Sequence, residues 1–261
     1  MSDQEIIKKL EDAVAIVTFN REKQRNAHTI TMRRQILDVM DELEADSRVK
    51  VVVFRGAGDT SFMIGGDLAE FELNRNNPEF IHEIRCLVDT SLLRLVNSSK
   101  PMISMINGYC IGGGVIFALA CDLRIASNKA YFCLPGNLSM ALGELASEII
   151  IQNLGLAWTK ELILSGATYN AQQALNMGMV HRVVEAEELT SYTMRYAKQI
   201  AQRPALSLQC SKFVLNECLK PSETRDRDQI AKMREAVYRS EDFHEGITAF
   251  VEKRRPQFSD K

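Results

Sequence analysis

The sequence predicts an α/β layered core followed by a helical C-terminal region. Three observations predict it. Short β-rich runs alternate with amphipathic helical stretches over the first two-thirds of the chain, glycine-rich segments follow two of those runs, and after Asn170 the pattern is almost wholly helical. Residues 13–19 (AVAIVTF), 51–55 (VVVFR) and 102–106 (MISMI) read as strands, with shorter candidates at 123–126 and 131–133. Thr29 is placed to cap a helix running to about residue 45, with Ile30, Ile36, Leu37, Met40 and Leu43 on one face. Pro78 opens another, with Phe80, Ile84, Leu87, Val88, Leu92 and Leu95 turned inward. Beyond a short run at 179–184, helices are expected at about 186–202, 205–219, 223–239 and 242–252, punctuated by Pro204 and Pro221.

Composition excludes several classes. The chain has 261 residues, enough for one or two domains and a sizeable core. Apolar residues make up 46% and charged residues 25%, which rules out a disordered tail, a collagen and a coiled-coil rod. Thirty-four acids against 32 bases leave a net charge of −2, so no general attraction for nucleic acid is expected. No run reaches the roughly 18 apolar residues of a membrane span. The nearest, residues 108–121, is shorter and rich in glycine. Residues 1–10 are of mixed charge and match neither a secretory signal nor an organelle-targeting segment, so a cytoplasmic protein is expected. The six cysteines form no C-x-x-C pair and are expected to be buried, reduced thiols. His28, His82, His181 and His244 show no metal-ligand spacing, and no metal is expected.

The glycine segments carry the chemical information. The first is Ser61-Phe62-Met63-Ile64-Gly65-Gly66-Asp67-Leu68, and the second is Asn107-Gly108-Tyr109-Cys110-Ile111-Gly112-Gly113-Gly114. Each follows a β-run and leads toward a helix. Glycine permits tight turns and close approach of a ligand, and a helix start presents unpaired N–H groups with a favourable dipole. Two such segments side by side could aim two main-chain donors at one carbonyl oxygen, as an oxyanion hole does. Packing of helices alone would also use these glycines. Neither segment matches a phosphate-binding fingerprint.

With these segments the chain resembles the enoyl-CoA hydratase/isomerase (crotonase) superfamily nearly from end to end. The shared blocks, in order, begin with Arg25-Asn26-Ala27, the F-x-x-G-x-D-L of residues 62–68, and N-G-x-x-x-G-G-G with the following C-D-x-x-x-A ending at Ala126. They continue with Phe132 and Pro135 as F-x-x-P, then the S-G…A-x-x-A…G-x-V pattern from Ser165 to Val180, and finally the block at 245–254. The resemblance implies a spiral of ββα units over residues 1–195 and a helical trimerisation region over 196–261. It implies a trimer or a dimer of trimers, an acyl-CoA thioester as substrate, and no cofactor beyond the coenzyme A carried by that substrate. By position, the oxyanion hole is expected from the amides of Ile64 and Gly113. Coenzyme A binding is expected at the backbone of Ala27, His28 and Gly66 with the adjoining Asp67 and Leu68. Phe250 and Lys253 are expected to approach the nucleotide, and Ile116, Gly136 and Leu138 to shape the acyl site.

The chain departs from the family where typical hydratases carry two glutamates that hold and activate water. Those positions are Ile116, two residues after the triple glycine, and Gly136, after the proline of F-x-x-P. Neither can transfer a proton. Glu144, eight residues after Gly136, occupies a slot that carries the working acid in several family branches. Ile116, Met140, Leu142 and Leu145 are expected to desolvate it, favouring the neutral form that a group accepting and then releasing a proton needs. The rival role for Glu144 is a carboxylate at a helix N-terminus.

One acid suffices to move a double bond from β,γ to α,β. An enoyl-CoA isomerase acting through Glu144 is therefore the leading expectation. An atypical hydratase, thioester hydrolase, decarboxylase or dehalogenase, or a silent CoA-binding scaffold, stands as the alternative. Glu148 and His82 are possible assistants, and Asp67 and Asp122 are read as structural.

Overall fold

The computed structural model describes residues 4–136 and 141–259. A two-residue reversal at Asp12-Ala13, with Asp12 in the left-handed region, joins β1 (Ile6–Glu11) to β2 (Val14–Phe19) as an antiparallel pair. Strands β3 (Val51–Gly56), β5 (Met102–Ile106), β7 (Leu123–Ser127) and β10 (Arg182–Val184) then add in parallel, giving the order β1-β2-β3-β5-β7-β10. The central strands β3 and β5 read as near-continuous apolar runs because both faces of this sheet are covered.

A second, smaller sheet has the order β4-β6-β8-β9. It is made of β4 (Ser61–Met63), β6 (Tyr109–Ile111), β8 (Tyr131–Cys133) and β9 (Thr168–Asn170). Thus β3, β5 and β7 of the large sheet each lead into β4, β6 and β8 of the small one, and each pair then enters helix. These are three turns of a ββα spiral. The intervening helices are α1 (Ile30–Ala45), α2 (Leu68–Leu73), α3 (Pro78–Asn97), α4 (Gly113–Ala120), α5 (Glu144–Ser165) and α6 (Ala171–Asn176). Thr29 caps α1 by accepting from the Met32 amide at 2.9 Å, and Asn77 caps α3 ahead of Pro78.

The main core lies between the large sheet and α1, α3, α4 and α5. A second cluster on the opposite face joins Val51, Val53, Ile103 and Ile125 to α7 (Leu189–Ala201). The expected division at residue 195 falls inside α7, which packs on four strands of the large sheet. Helices α8 (Ala205–Leu219), α9 (Arg227–Arg239) and α10 (Glu241–Val251) follow. Lys212 of α8 is tied to Asp122 at 2.7 Å, and Asp122 also accepts from the Met102 amide, so the structural role read for Asp122 is the one it performs.

Three expectations are corrected. Residues 6–11 form an edge strand, unrecognised because exposed Lys8 and Lys9 and half-buried Glu11 erase the apolar alternation. The last helices start later than expected, α7 at 189 and α9 at 227, because short turns occupy 186–188 and 222–224. All six cysteines are free thiols, but Cys86 and Cys218 are exposed.

Candidate active site

The two glycine turns pack against each other. Gly65 has φ +90°, and a Cβ on it would lie 3.2 Å from the Gly113 amide nitrogen and 3.4 Å from the Ile111 carbonyl oxygen. Only glycine fits there: a side chain would be strained and would cover the Gly113 amide. At Gly114 a Cβ would sit 2.3 Å from the Met63 carbonyl oxygen, so the start of α4 lies directly on the end of β4. The small sheet sets this register, with Cys110 paired to both Met63 and Phe132 and the Gly112 amide donating to the Cys133 carbonyl at 2.8 Å. Gly113 is the first residue of α4, where an amide has no partner within its own helix. Among the described residues, neither the Ile64 nor the Gly113 amide donates in the turns, loops and helix caps.

A third segment is stitched to the first turn. The His28 amide donates to the Gly65 carbonyl at 2.7 Å and the Asp67 amide to the His28 carbonyl at 2.8 Å, forming a parallel bridge between His28 and Gly66. Ala27 and His28 therefore join Gly65, Gly66 and Asp67 through their main chains. The His28 side chain turns into the core at 3% exposure, edge-on to Phe19 and Phe117, and neither ring nitrogen has a partner. Burial, reinforced by Arg33 and Arg21, holds its pKa well below the ordinary histidine value.

Asp67 fixes this loop as expected. It caps α2, accepting from the Ala69 and Glu70 amides at 3.0 and 3.2 Å, and pairs with Arg21 at 2.8 Å. Burial alone would raise its carboxyl, but the hydrogen bonds from Arg21, Glu70 and Ala69 outweigh that and hold it below the usual carboxylate range. Arg21, unmarked in the sequence, also bonds Glu5 and the Ala27 carbonyl, tying both sides of the loop together. Leu68 begins α2 and is exposed, while the ring of Phe71 covers Gly66.

Ile116 is buried on the first turn of α4, and exposed Gly136 lies against the C-terminal end of α5, beside Gly166. Pro135 reaches the Gly112 turn, so the 134–136 segment borders the glycine turns. Leu138 and Met140 lie outside the described residues. Glu144 is the first residue of α5, whose N-cap, Gly143, offers no side chain. The expectation that apolar neighbours would desolvate Glu144 is corrected: its side chain is exposed, because Leu142 and Leu145 turn toward the core instead. Phe250 and Lys253 are not brought to the glycine turns, since α10 packs on α9 and both residues are exposed near its end.

Asp89 of α3 was not marked by the sequence. Its Oδ1 stands 3.6 Å from where a Cβ on Gly143 would be, beside the residue preceding Glu144. No sequence signal marks this approach, because α3 and α5 meet only in the fold. A separate cavity of about 200 Å³ lies among α8, α9, α10 and Phe258, away from the glycine turns. Among the described residues no group of three or more His, Cys, Asp or Glu could hold a metal ion, and no helix is long and apolar enough to cross a membrane.

Residues 9–261 match the model of the enoyl-CoA hydratase/isomerase family. A short-chain-enoyl-CoA hydratase of Clostridium acetobutylicum is 31% identical, covering 96% of this chain and 95% of that protein. A crotonyl-CoA hydratase of Syntrophomonas wolfei is also 31% identical and aligned over the full length of both. The crystal structure of an enoyl-CoA hydratase/carnithine racemase from Magnetospirillum magneticum superposes with a TM-score of 0.93 at 29% identity, covering 100% of this chain and 97% of the other. With the ββα spiral and the paired glycine turns, these likenesses place the chain in the enoyl-CoA hydratase/isomerase (crotonase) family.

Proposed function

We propose that the chain is an enoyl-CoA isomerase that moves a C=C bond between the β,γ and α,β positions of an acyl-CoA. The observation that carries this reading is one acid retained at the head of α5, Glu144, while the two positions that hold water in typical hydratases are Ile116 and Gly136. The amides of Ile64 and Gly113 both donate to the thioester oxygen. Glu144 takes a proton from C2, the electron pair moves onto the thioester as an enolate, and the same carboxyl returns the proton at C4. The main chain of Ala27, His28 and Gly66 receives the coenzyme A arm. Phe250 and Lys253, both exposed near the end of α10, serve the nucleotide of a neighbouring subunit in a trimer or a dimer of trimers.

The names of the two curated relatives favour a second reading, hydration of an α,β-enoyl-CoA. With Ile116 and Gly136 in place, hydration needs a second acid from elsewhere. Turnover of a β,γ-enoyl-CoA by the Glu144→Gln variant tests the leading reading. We expect a loss of ~10²–10⁴-fold, the usual worth of a positioned acid–base group, with the fold retained. Undiminished turnover removes Glu144 from the mechanism.

A further inference from the structure

We propose that Asp89 is a second catalytic carboxylate of this site, and that with Glu144 it gives the chain a hydration activity that does not use positions 116 and 136. The proposal rests on the assignment of Glu144 and the glycine turns made above.

Three observations carry it. First, Asp89 Oδ1 lies 3.6 Å from the Cβ position of Gly143, so the carboxylate from α3 reaches the residue next to Glu144 at the head of α5. Second, α3 packs against both α4 and α5, the helices that begin at Gly113 and Glu144. Asp89 therefore stands on the helix that packs on both of the helices these two groups begin. Third, both acids are exposed in the protomer, and no described residue engages Asp89 in a hydrogen bond or ion pair. The other reactive groups on this face of α3, at helical spacing from Asp89, are His82 and Cys86, which contact each other at 3.5 Å. Asp89 is the member of that stripe that meets α5.

Two carboxylates allow what one does not. The oxygen of a water bonds to C3 of an α,β-enoyl thioester while Asp89 takes the proton from that water. The C2–C3 π pair moves toward the carbonyl, whose oxygen carries the enolate charge between the Ile64 and Gly113 amides. Asp89 passes that proton through solvent to Glu144, which starts as the same carboxylate that serves isomerisation. The enolate collapses as Glu144 delivers the proton to C2, and the product is the 3-hydroxyacyl thioester. Isomerisation needs only Glu144, so the two activities depend differently on Asp89.

The experiment compares the wild type, Asp89→Asn, Asp89→Glu and Glu144→Gln on one α,β-enoyl-CoA and its β,γ isomer, with products separated by chromatography and folding checked by near-ultraviolet circular dichroism. Asp89 is exposed and has no partner among the described residues, so the amide is accommodated without repacking. We expect the wild type to form the 3-hydroxy product, and Asp89→Asn to lower the ratio of hydration to isomerisation by ~10²-fold or more. Asp89→Glu should recover part of that ratio, which a merely structural role would not produce. A wild type that forms no 3-hydroxy product, or an unchanged ratio in Asp89→Asn, overturns the proposal. Glu144→Gln separates the two layers: full isomerisation in that variant contradicts the proposed function itself, whereas its loss leaves the Asp89 ratio as the deciding result.

Discussion

A single buried imidazole shows how closely the loop around the first glycine turn is tuned. His28 contributes its main chain to the bridge with Gly66, while its ring lies among Phe19 and Phe117 with no hydrogen-bond partner. Its pKa is depressed first by burial and then by Arg33 and Arg21. The unfolded chain therefore binds the His28 proton near pH 6.5 while the folded chain refuses it. The contribution is fully present above that value and is lost as pH falls toward the lower folded pKa. The slope reaches at most about 1.4 kcal/mol per pH unit. His181, lowered to about 4 by burial and by Arg124 and Arg182, acts in the same direction. Denaturant titrations between pH 7 and 5 should show falling stability, with a smaller fall in His28→Leu. An equal fall in that variant would place the acid sensitivity elsewhere. The family resemblance singled out the His28 main chain but could not reveal the buried ring, because Phe19, His28 and Phe117 are far apart in sequence.

At the scale of elements, the glycine turns were the most legible part of the chain. Strand, turn and helix start follow one another locally, so the sequence alone places Gly65 and Gly113 correctly on their elements. The long helices were legible for the same reason: Thr29 and Pro78 stand where α1 and α3 begin. The small sheet was harder. Its strands are three residues each, too short for a period of two to declare itself, and only β8 was foreseen with its bounds. Partners that meet across elements, such as Arg21 with Asp67 or Asp89 with Gly143, leave no trace in spacing. The contact between the turns yields a test. Gly65→Ala puts a methyl group 3.2 Å from the Gly113 nitrogen at a φ of +90°. We expect a stability loss of about 1–3 kcal/mol and a fall in turnover of ~10²–10³-fold, as for a lost oxyanion donor. Turnover that falls only as far as the folded fraction falls would show that the Gly113 amide is not used.

Over the whole molecule, the spiral explains why chemistry can sit on main-chain atoms. Successive ββα turns stack β4, β6 and β8 in parallel, so loops distant in sequence end on one edge. Residues 27–28, 64–66 and 112–114 meet there although they lie far apart in the sequence. No repeat is visible in the sequence because the three turns share a backbone path and not side chains. Backbone donors tolerate such drift, so the oxyanion role proposed for Ile64 does not depend on its side chain. The C-terminal helices keep apolar side chains exposed, among them Leu215, Tyr238, Ile247 and Phe250, in keeping with the proposed assembly. The central claim is that two amides, of Ile64 and Gly113, polarise the thioester carbonyl. Isotope-edited infrared spectroscopy of a carbonyl-labelled acyl-CoA bound to the protein reads that bond directly. The account predicts a carbonyl band shifted to lower frequency than in water, moving back in Gly65→Ala; a band at its solution frequency in the wild-type complex would contradict it.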